Sequence, residues 1–144
     1  MNINISEIIL AFFGSLLPSI LFNTNPKRLP WVGFSGMIGW YVFTQARLMT
    51  GNSLFSSFTG AFAVGIYSEV MARMMKSPAS IYSISGVFPL VPGISAYSTA
   101  ESLVKNTLSE ALRKFIETIS SAGSIALGLM LALAVFRVLK RKAL

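Results

Sequence analysis

The chain has 144 residues, a mean hydropathy of +0.67 and a charged fraction of 12%, about half the roughly 25% typical of soluble domains. It contains no His, Cys or Asp, which excludes Ser-His-Asp and Cys-His catalytic groups, His or Cys zinc sites and disulfides. The net charge of +7 comes from lysines and arginines at the ends of apolar segments. We therefore expect an all-α integral membrane protein of one domain, residues 1–144, with no metal or cofactor. Neither an enzyme nor a nucleic-acid-binding protein is expected.

Five apolar segments follow one another along the chain. Each unbroken segment approaches the roughly 20 residues needed to cross about 30 Å of hydrocarbon. The first has neither a basic leader nor a small-residue cleavage pattern, so we interpret it as a retained span rather than a signal peptide. The second is the least apolar. The predicted transmembrane helices cover about residues 5–22, 31–49, 54–71, 79–100 and 119–139.

The fourth segment is interrupted by two prolines and a glycine. Pro89-Leu90-Val91-Pro92-Gly93 separates the apolar stretch 81–88 from the stretch 94–97. Irregular backbone at membrane depth is tolerated only where it is buried in protein or lines a wet cavity. Spans interrupted by Gly and Pro mark the binding sites of many transporters. The interruption therefore predicts a membrane transport protein.

Residues 101–117, before the last span, have a different pattern. Apolar residues recur at helical spacing, and Glu101/Lys105 and Glu110/Lys114 are four-apart pairs of opposite charge on the other side. We predict a separate amphipathic helix here. It either lies at the membrane interface or covers a partner.

The lysine and arginine counts predict an orientation, because cytoplasmic loops carry the excess of these residues. With five crossings, eight of them fall on one side and four on the other. If the fourth segment were re-entrant and did not cross, the split would be seven to five. Five crossings, with the N-terminus outside and the C-terminus in the cytoplasm, fit better. An odd number of spans also means that a homologous second half would insert inverted.

The restart of the helix after Pro92-Gly93 is the candidate substrate site. A helix N-terminus has free N–H groups and about half a positive charge, which suits a carboxylate. Hydroxyl groups follow within the next two turns. The alternative is a proline kink that only shapes packing, but two prolines, a glycine and adjacent polar groups favour a site. The candidate residues are Pro92, Gly93, Ile94, Ser95, Tyr97 and Thr99.

Glu69 is the first candidate proton carrier. It lies inside an apolar segment, where an ionisable side chain is a functional candidate by default. Arg73, four residues later, offers the alternative of a structural ion pair near the interface. Small residues precede Glu69 on the same face and allow another helix to approach closely. They are Ser57, Ala61 and Gly65.

Glu101 is the second candidate proton carrier, with a solvated pairing to Lys105 as the alternative. Gln45 in the second segment and Arg73 in the third are supporting polar groups. Two further sets of small residues predict close helix contacts. They are Gly33, Gly36 and Gly39 in the second segment, and Ser120, Ser124, Gly128 and Ala132 in the fifth.

The stretch Val87-Phe88-Pro89-Leu90-Val91-Pro92-Gly93-Ile94-Ser95-Ala96-Tyr97, with the spans on both sides, resembles the small subunit of split threonine/serine exporter (ThrE) family transporters. The likeness covers nearly the whole chain. The resemblance carries the family's motif over to four positions of this chain, which are Pro92, Gly93, Ser95 and Tyr97. The resemblance implies an exporter of the plasma (inner) membrane, for threonine and serine or for succinate. It also implies a second, larger membrane protein as the other half.

The predicted function is half of a secondary exporter for small carboxylate-bearing metabolites. We expect proton exchange to drive it, because the sequence has no nucleotide-binding loop. One broken span is not a complete substrate site, so we expect the chain to need a partner, either the larger membrane subunit or a second copy of itself. Membrane lipid is expected to surround the assembly. Threonine or serine is the favoured substrate, and succinate or another dicarboxylate is the alternative. A non-transporting membrane scaffold and a homomeric channel are the alternatives of other classes.

Overall fold

The computed structural model describes residues 4–105 and 107–142, with side chains as far as residue 138. The described part is helical and contains no strand, as the sequence predicts, while residues 1–3, 106 and 143–144 of the predicted domain lie outside it. Short 3₁₀ turns cover Pro26–Arg28 and Phe88–Leu90. The helices are α1 (Ile5–Leu21), α2 (Leu29–Thr50), α3 (Ser53–Met74), α4 (Ser80–Val87), α5 (Gly93–Val104) and α6 (Leu108–Lys142).

Two of the described helical stretches, Ser53–Met74 and Leu108–Val138, are long and apolar enough to cross a membrane. Ile5–Leu21 and Ser80–Leu90 are apolar but shorter. Helix α2 is long enough, with 22 residues, but it corresponds to the second predicted segment, which is the least apolar of the five. Five crossings therefore stay a prediction.

The turn between α2 and α3 follows from two residues. Gly51 ends α2 with a φ of 65°, a left-handed conformation that a residue without Cβ adopts at little cost. Asn52 then caps α3, because its side-chain oxygen accepts hydrogen bonds from the N–H groups of Leu54 and Phe55 at 2.9 and 3.3 Å. The two helices consequently run antiparallel.

Helices α3 and α6 run parallel to each other. Gly128 of α6 lies against Phe58 of α3, and farther along both helices the Arg73 guanidinium lies 4.5 Å from the Phe136 ring centroid. Since both helices point the same way, the stretch from α4 to α5 must return the chain from the end of α3 to the start of α6. Along this path Tyr82 clusters with Met71 near the end of α3, and Leu90 clusters with Ala61 near its middle.

The prediction of a separate amphipathic helix before the last span is wrong. Residues 101–104 belong to α5, and the chain turns near Lys105 and Thr107. A single helix of 35 residues then runs from Leu108 through the last predicted span. No glycine or proline lies between residues 108 and 119 to end a helix there. The apolar face of its first turns packs on α5, where Ala111 is buried near Thr99.

The pair formed by α5 and the first turns of α6 extends beyond the start of α3. At 1.5 Å per residue, α6 begins about 30 Å before the level of Gly128, whereas α3 begins only about 8 Å before the same level at Phe58. Both ion pairs predicted for this region are present here. Lys105 Nζ lies 2.6 Å from Glu101 Oε1, and Lys114 Nζ lies 2.9 Å from Glu110 Oε1.

Small residues hold the bundle together. The sequence predicted a close helix contact for each of the small-residue stripes in the third and fifth segments, and the structure shows that the two stripes meet each other. A Cβ on Gly65 of α3 would lie 2.5 Å from the Ala132 Cβ, and one on Gly128 of α6 would lie 2.5 Å from the Phe58 carbonyl oxygen. The predicted close approach of α2 is present as well, because Gly36 faces Ser15 of α1 and Gly39 faces Val64 of α3. Helices in lipid associate through this kind of close packing rather than through a hydrophobic driving force.

Buried serine hydroxyls are satisfied mostly within their own helices. Ser15, Ser19 and Ser68 each donate to the carbonyl four residues earlier, at 3.1, 2.9 and 2.7 Å. Ser35 instead donates across to the Tyr82 carbonyl at 3.1 Å and so ties α2 to α4. Small polar residues therefore occupy helix interfaces without leaving their hydroxyl groups unpaired.

We expect Gly128→Ala to destabilise the protein by about 1–3 kcal/mol, because the new methyl group would meet the Phe58 backbone and force α3 and α6 apart. Gly123→Ala is the matched control, since a Cβ at Gly123 of the same helix has open space around it. Thermal or SDS unfolding of the purified protein measures the difference. Equal stability of the two variants would contradict the packing described for this interface.

Candidate functional site

The interruption of the fourth segment is fixed by one buried side chain. α4 ends at Val87, a single 3₁₀ turn follows, and Val91 takes an extended conformation with φ −61° and ψ 129°. Leu90 in the turn is 6% exposed and packs with Ala61 and Val64 of α3. The break therefore lies against the centre of α3 and is not at the edge of the bundle.

The first turn of α5 carries unpaired backbone donors. The Gly93 N–H donates to the Val91 carbonyl at 2.7 Å, and the Ala96 N–H donates to the Pro92 carbonyl at 3.1 Å. Between them, the N–H groups of Ile94 and Ser95 have no partner among the described residues, and no side chain caps the helix. The sequence predicted free donors around Gly93, Ile94 and Ser95 for an anion at this helix N-terminus. The donors of Ile94 and Ser95 are free as predicted, whereas that of Gly93 is paired.

The candidate substrate residues lie on two faces of α5. Gly93 has open space around it, and Ile94 and Tyr97 are 85% and 73% exposed. Thr99 is 8% exposed, faces α6, and donates its hydroxyl to the Ser95 carbonyl at 2.8 Å. Helix α5 thus presents Gly93, Ile94 and Tyr97 outward and keeps Thr99 in its own packing.

Glu69 lies in a polar cleft at the end of α3, away from the break. Its carboxylate is 3.4 Å from the Arg73 guanidinium, and its side chain is 19% exposed against 49% for Arg73. Phe136, Arg137 and Ser77 also line this cleft of about 490 Å³. The alternative ion pair considered from the sequence is therefore formed.

Glu101 lies beyond the predicted span, at the end of α5. Its hydrogen bond from Lys105 and the charge of that lysine lower the pKa of the Glu101 carboxyl. A lowered pKa keeps the group ionised near neutrality, which favours the solvated-partner interpretation over proton carriage. Gln45 donates to the Tyr41 hydroxyl at 3.3 Å within α2. Neither Glu101 nor Gln45 lines the cleft that holds Glu69.

A second cleft, beside the break, was not anticipated from the sequence. Glu7, Leu10, Ala11, Gly14, Trp40 and Pro89 line a volume of about 280 Å³ between α1, α2 and the 3₁₀ turn. The Trp40 Nε1–H is buried and has no hydrogen-bond partner. Glu7 could have been recognised by the argument used for Glu69, since it too is an acid in an apolar segment.

Among the described residues, no group of three or more His, Cys, Asp or Glu side chains could hold a metal ion. The polar groups near the break are instead backbone N–H donors, a carboxylate and an indole. Groups of this kind bind and orient a small polar solute; a nucleophile paired with a base does not occur among them.

Comparison with known proteins supports a transporter. No solved structure matches the chain significantly. A family model described as threonine/serine exporter, ThrE, matches residues 7–135, a range that includes the broken segment and all the candidate site residues. The family is one of transporters and not of enzymes. The match confirms the resemblance seen in the sequence, and the chain belongs to the threonine/serine exporter ThrE family.

Proposed function

We propose that this chain is one half of a secondary exporter for small carboxylate-bearing metabolites, with threonine and serine as the favoured substrates. The observation that carries the proposal is the first turn of α5, where the Ile94 and Ser95 N–H groups are unpaired beside an exposed face. Such a turn offers a substrate carboxylate two donors and the positive end of a helix dipole. Membership of an exporter family and the apolar helices favour a membrane location.

A second half is part of the proposal. The exposed side chains of Ile94 and Tyr97 leave the α5 face open on one side, and unpaired backbone donors at membrane depth need either protein or a wet cavity beside them. The other half is a larger membrane subunit of the same exporter, or a second copy of this chain. An inverted arrangement of the two halves would bring their broken segments to a common interface.

The proposed orientation places the N-terminus outside and the C-terminus in the cytoplasm of an inner membrane. The chain has no native cysteine, so single substitutions Lys27→Cys, Asn52→Cys, Lys76→Cys and Lys140→Cys can be labelled one at a time. We expect a membrane-impermeant maleimide added to intact cells to label only Asn52→Cys. Labelling of Asn52→Cys and Lys140→Cys from the same side would contradict five crossings.

We expect Gly93→Val to reduce export at least tenfold while leaving the amount of inserted protein unchanged. A side chain at Gly93 meets nothing in this chain, so the fold should tolerate valine. The added methyl groups would block the close approach of a ligand to the α5 backbone. Export of labelled threonine and of succinate from loaded vesicles measures the effect.

Gly123→Val is the matched control for Gly93→Val, because Gly123 also lies in open space on a helix. It should export normally. The same experiment tests the scaffold alternative. If Gly93→Val assembles with its partner and exports as well as the control does, this subunit does not hold the substrate and a scaffold role is favoured.

We expect Glu69→Gln to assemble but to lose the dependence of flux on an imposed pH gradient. Glutamine keeps the shape and hydrogen-bonding capacity of glutamate and removes its titration. Glu110→Gln is the matched control, since it breaks another four-apart ion pair, that with Lys114 at 2.9 Å. Unchanged coupling in Glu69→Gln would assign Glu69 and Arg73 to a structural pair and leave the proton to the other half.

A further inference from the structure

A cleft of about 400 Å³ lies where the turn between α1 and α2 meets the first turns of α4. It shares no lining residue with the cleft of Glu69 or with the cleft beside the break. The α1–α2 turn contributes mostly polar side chains to it, and α4 contributes mostly apolar ones. The polar lining residues are Asn23, Thr24, Asn25, Arg28 and Ser80. The cleft is therefore amphipathic and separate from the candidate substrate site.

The polar part of the lining is held in place by the backbone of the turn. The Thr24 N–H donates to the Ser19 carbonyl at 3.0 Å, and Asn23 takes a left-handed φ of 54°, which Asn adopts more readily than most residues. The Asn25 side-chain oxygen accepts from the main-chain N–H of Lys27 at 3.1 Å, so the NH2 group is the remaining donor of that amide. These groups are therefore positioned before any ligand binds.

Arg28 is the only charged residue among those that line the cleft. It is partly buried, and none of the five glutamates of the sequence lines the cleft with it. The ion pairs found among the described side chains lie elsewhere, in α3 and around the turn between α5 and α6. A guanidinium without a carboxylate beside it suits an anionic ligand, and its planar fork matches the oxygens of a phosphate group.

The apolar part of the lining extends away from this end of the bundle. Ile81 and Ile84 lie three residues apart on one face of α4, which runs from the end of α3 toward the break at its middle. Phe22 and Ile84 are 61% and 55% exposed, so this chain covers neither of them. A ligand with a charged end and an apolar chain fits both parts of the lining, and in a membrane a phospholipid has this form.

We propose that this cleft, the Arg28 cleft, binds an anionic phospholipid, with the headgroup phosphate at Arg28 and an acyl chain along Ile84. Basic pockets between membrane helices bind the headgroups of anionic lipids. A zwitterionic lipid would bring its own cation close to Arg28 and Lys27, and no carboxylate of the lining would offset the repulsion. The bound lipid is a ligand distinct from the exported metabolite.

The test uses the full-length chain purified in detergent, with any subunit that copurifies, after removal of bound lipid. Native mass spectrometry measures the bound molecules while phosphatidylglycerol, phosphatidylcholine or inorganic phosphate is added. We expect saturable binding of phosphatidylglycerol and about tenfold weaker binding of phosphatidylcholine. Inorganic phosphate should not displace the lipid, because it lacks the acyl chain.

Arg28→Gln should weaken the binding of phosphatidylglycerol about tenfold, since it removes the charge-assisted contact to phosphate. Lys27→Gln is the matched control. Lys27 is an exposed cation of the same turn and does not line the cleft, so this variant should bind the lipid as the parent does. The comparison separates a site in the cleft from a general attraction of the basic turn to anionic lipid.

Ile84→Ala tests the apolar part of the cleft and leaves Arg28 in place. Because Ile84 is exposed, the fold should tolerate alanine, and loss of acyl-chain contact should weaken phosphatidylglycerol binding about threefold. Ile9→Ala, which shortens an equally exposed isoleucine near the other end of α1, should leave binding unchanged.

Four outcomes overturn the inference. Equal binding by Arg28→Gln and Lys27→Gln would show that the cleft does not hold the phosphate, and equal binding by Ile84→Ala and Ile9→Ala would show that it does not hold the acyl chain. Binding of phosphatidylcholine as tight as that of phosphatidylglycerol would remove the selection for an anionic lipid. Displacement of the lipid by inorganic phosphate would assign the cleft to the free ion.

Discussion

The fold depends on how closely α3 approaches the helices around it. A Cβ on Gly60 would lie 3.0 Å from the Gly39 carbonyl oxygen of α2, and one on Gly65 would lie 2.5 Å from Ala132 of α6. On the side of α4, a Cβ on Gly86 would lie 3.0 Å from Val64 of α3. Because apolar side chains gain little by leaving lipid for one another, such close contacts supply much of the attraction between membrane helices. The small-residue stripes therefore determine which faces meet.

The broken segment gains its position from the same packing. Leu90 inserts beside Ala61 and Val64, and this contact holds the 3₁₀ turn at the centre of α3 while α5 leaves to pack mainly on α6. The departure of α5 has two consequences for function. It leaves the first-turn N–H groups of α5 without partners, and it leaves a cleft beside Pro89. Interrupted helices of this kind form the substrate sites of many transporters.

The charged side chains divide into three settings. Glu101 and Glu110 pair with lysines on the hairpin that extends beyond the bundle, where solvent screens them and their contribution to stability is small. Glu69 pairs with Arg73 at the opposite end of the bundle, in a polar cleft. Glu7, in the first turn of α1, lines the mostly apolar cleft beside the break. The proposal of proton coupling concerns Glu69, the one of these acids that lies in a polar cleft at the end of a long apolar helix.

Much of the architecture was determined by the sequence alone. The turn at Gly51-Asn52, the break at Pro89–Gly93 and the small-residue faces of the second, third and fifth segments are local signals. They arise from backbone conformations and side-chain sizes that do not depend on distant residues. The ion pairs at four-residue spacing are local for the same reason. The remaining features of the fold and the site depend on which residues of distant segments meet, so only the tertiary structure decides them. Only the fold shows that the predicted amphipathic helix continues into the last span as the first part of α6, and only the fold shows that the face of α5 with Thr99 is the one that packs on α6. The cleft beside the break likewise exists because α1, α2 and the 3₁₀ turn converge, and no periodicity within one segment encodes that arrangement.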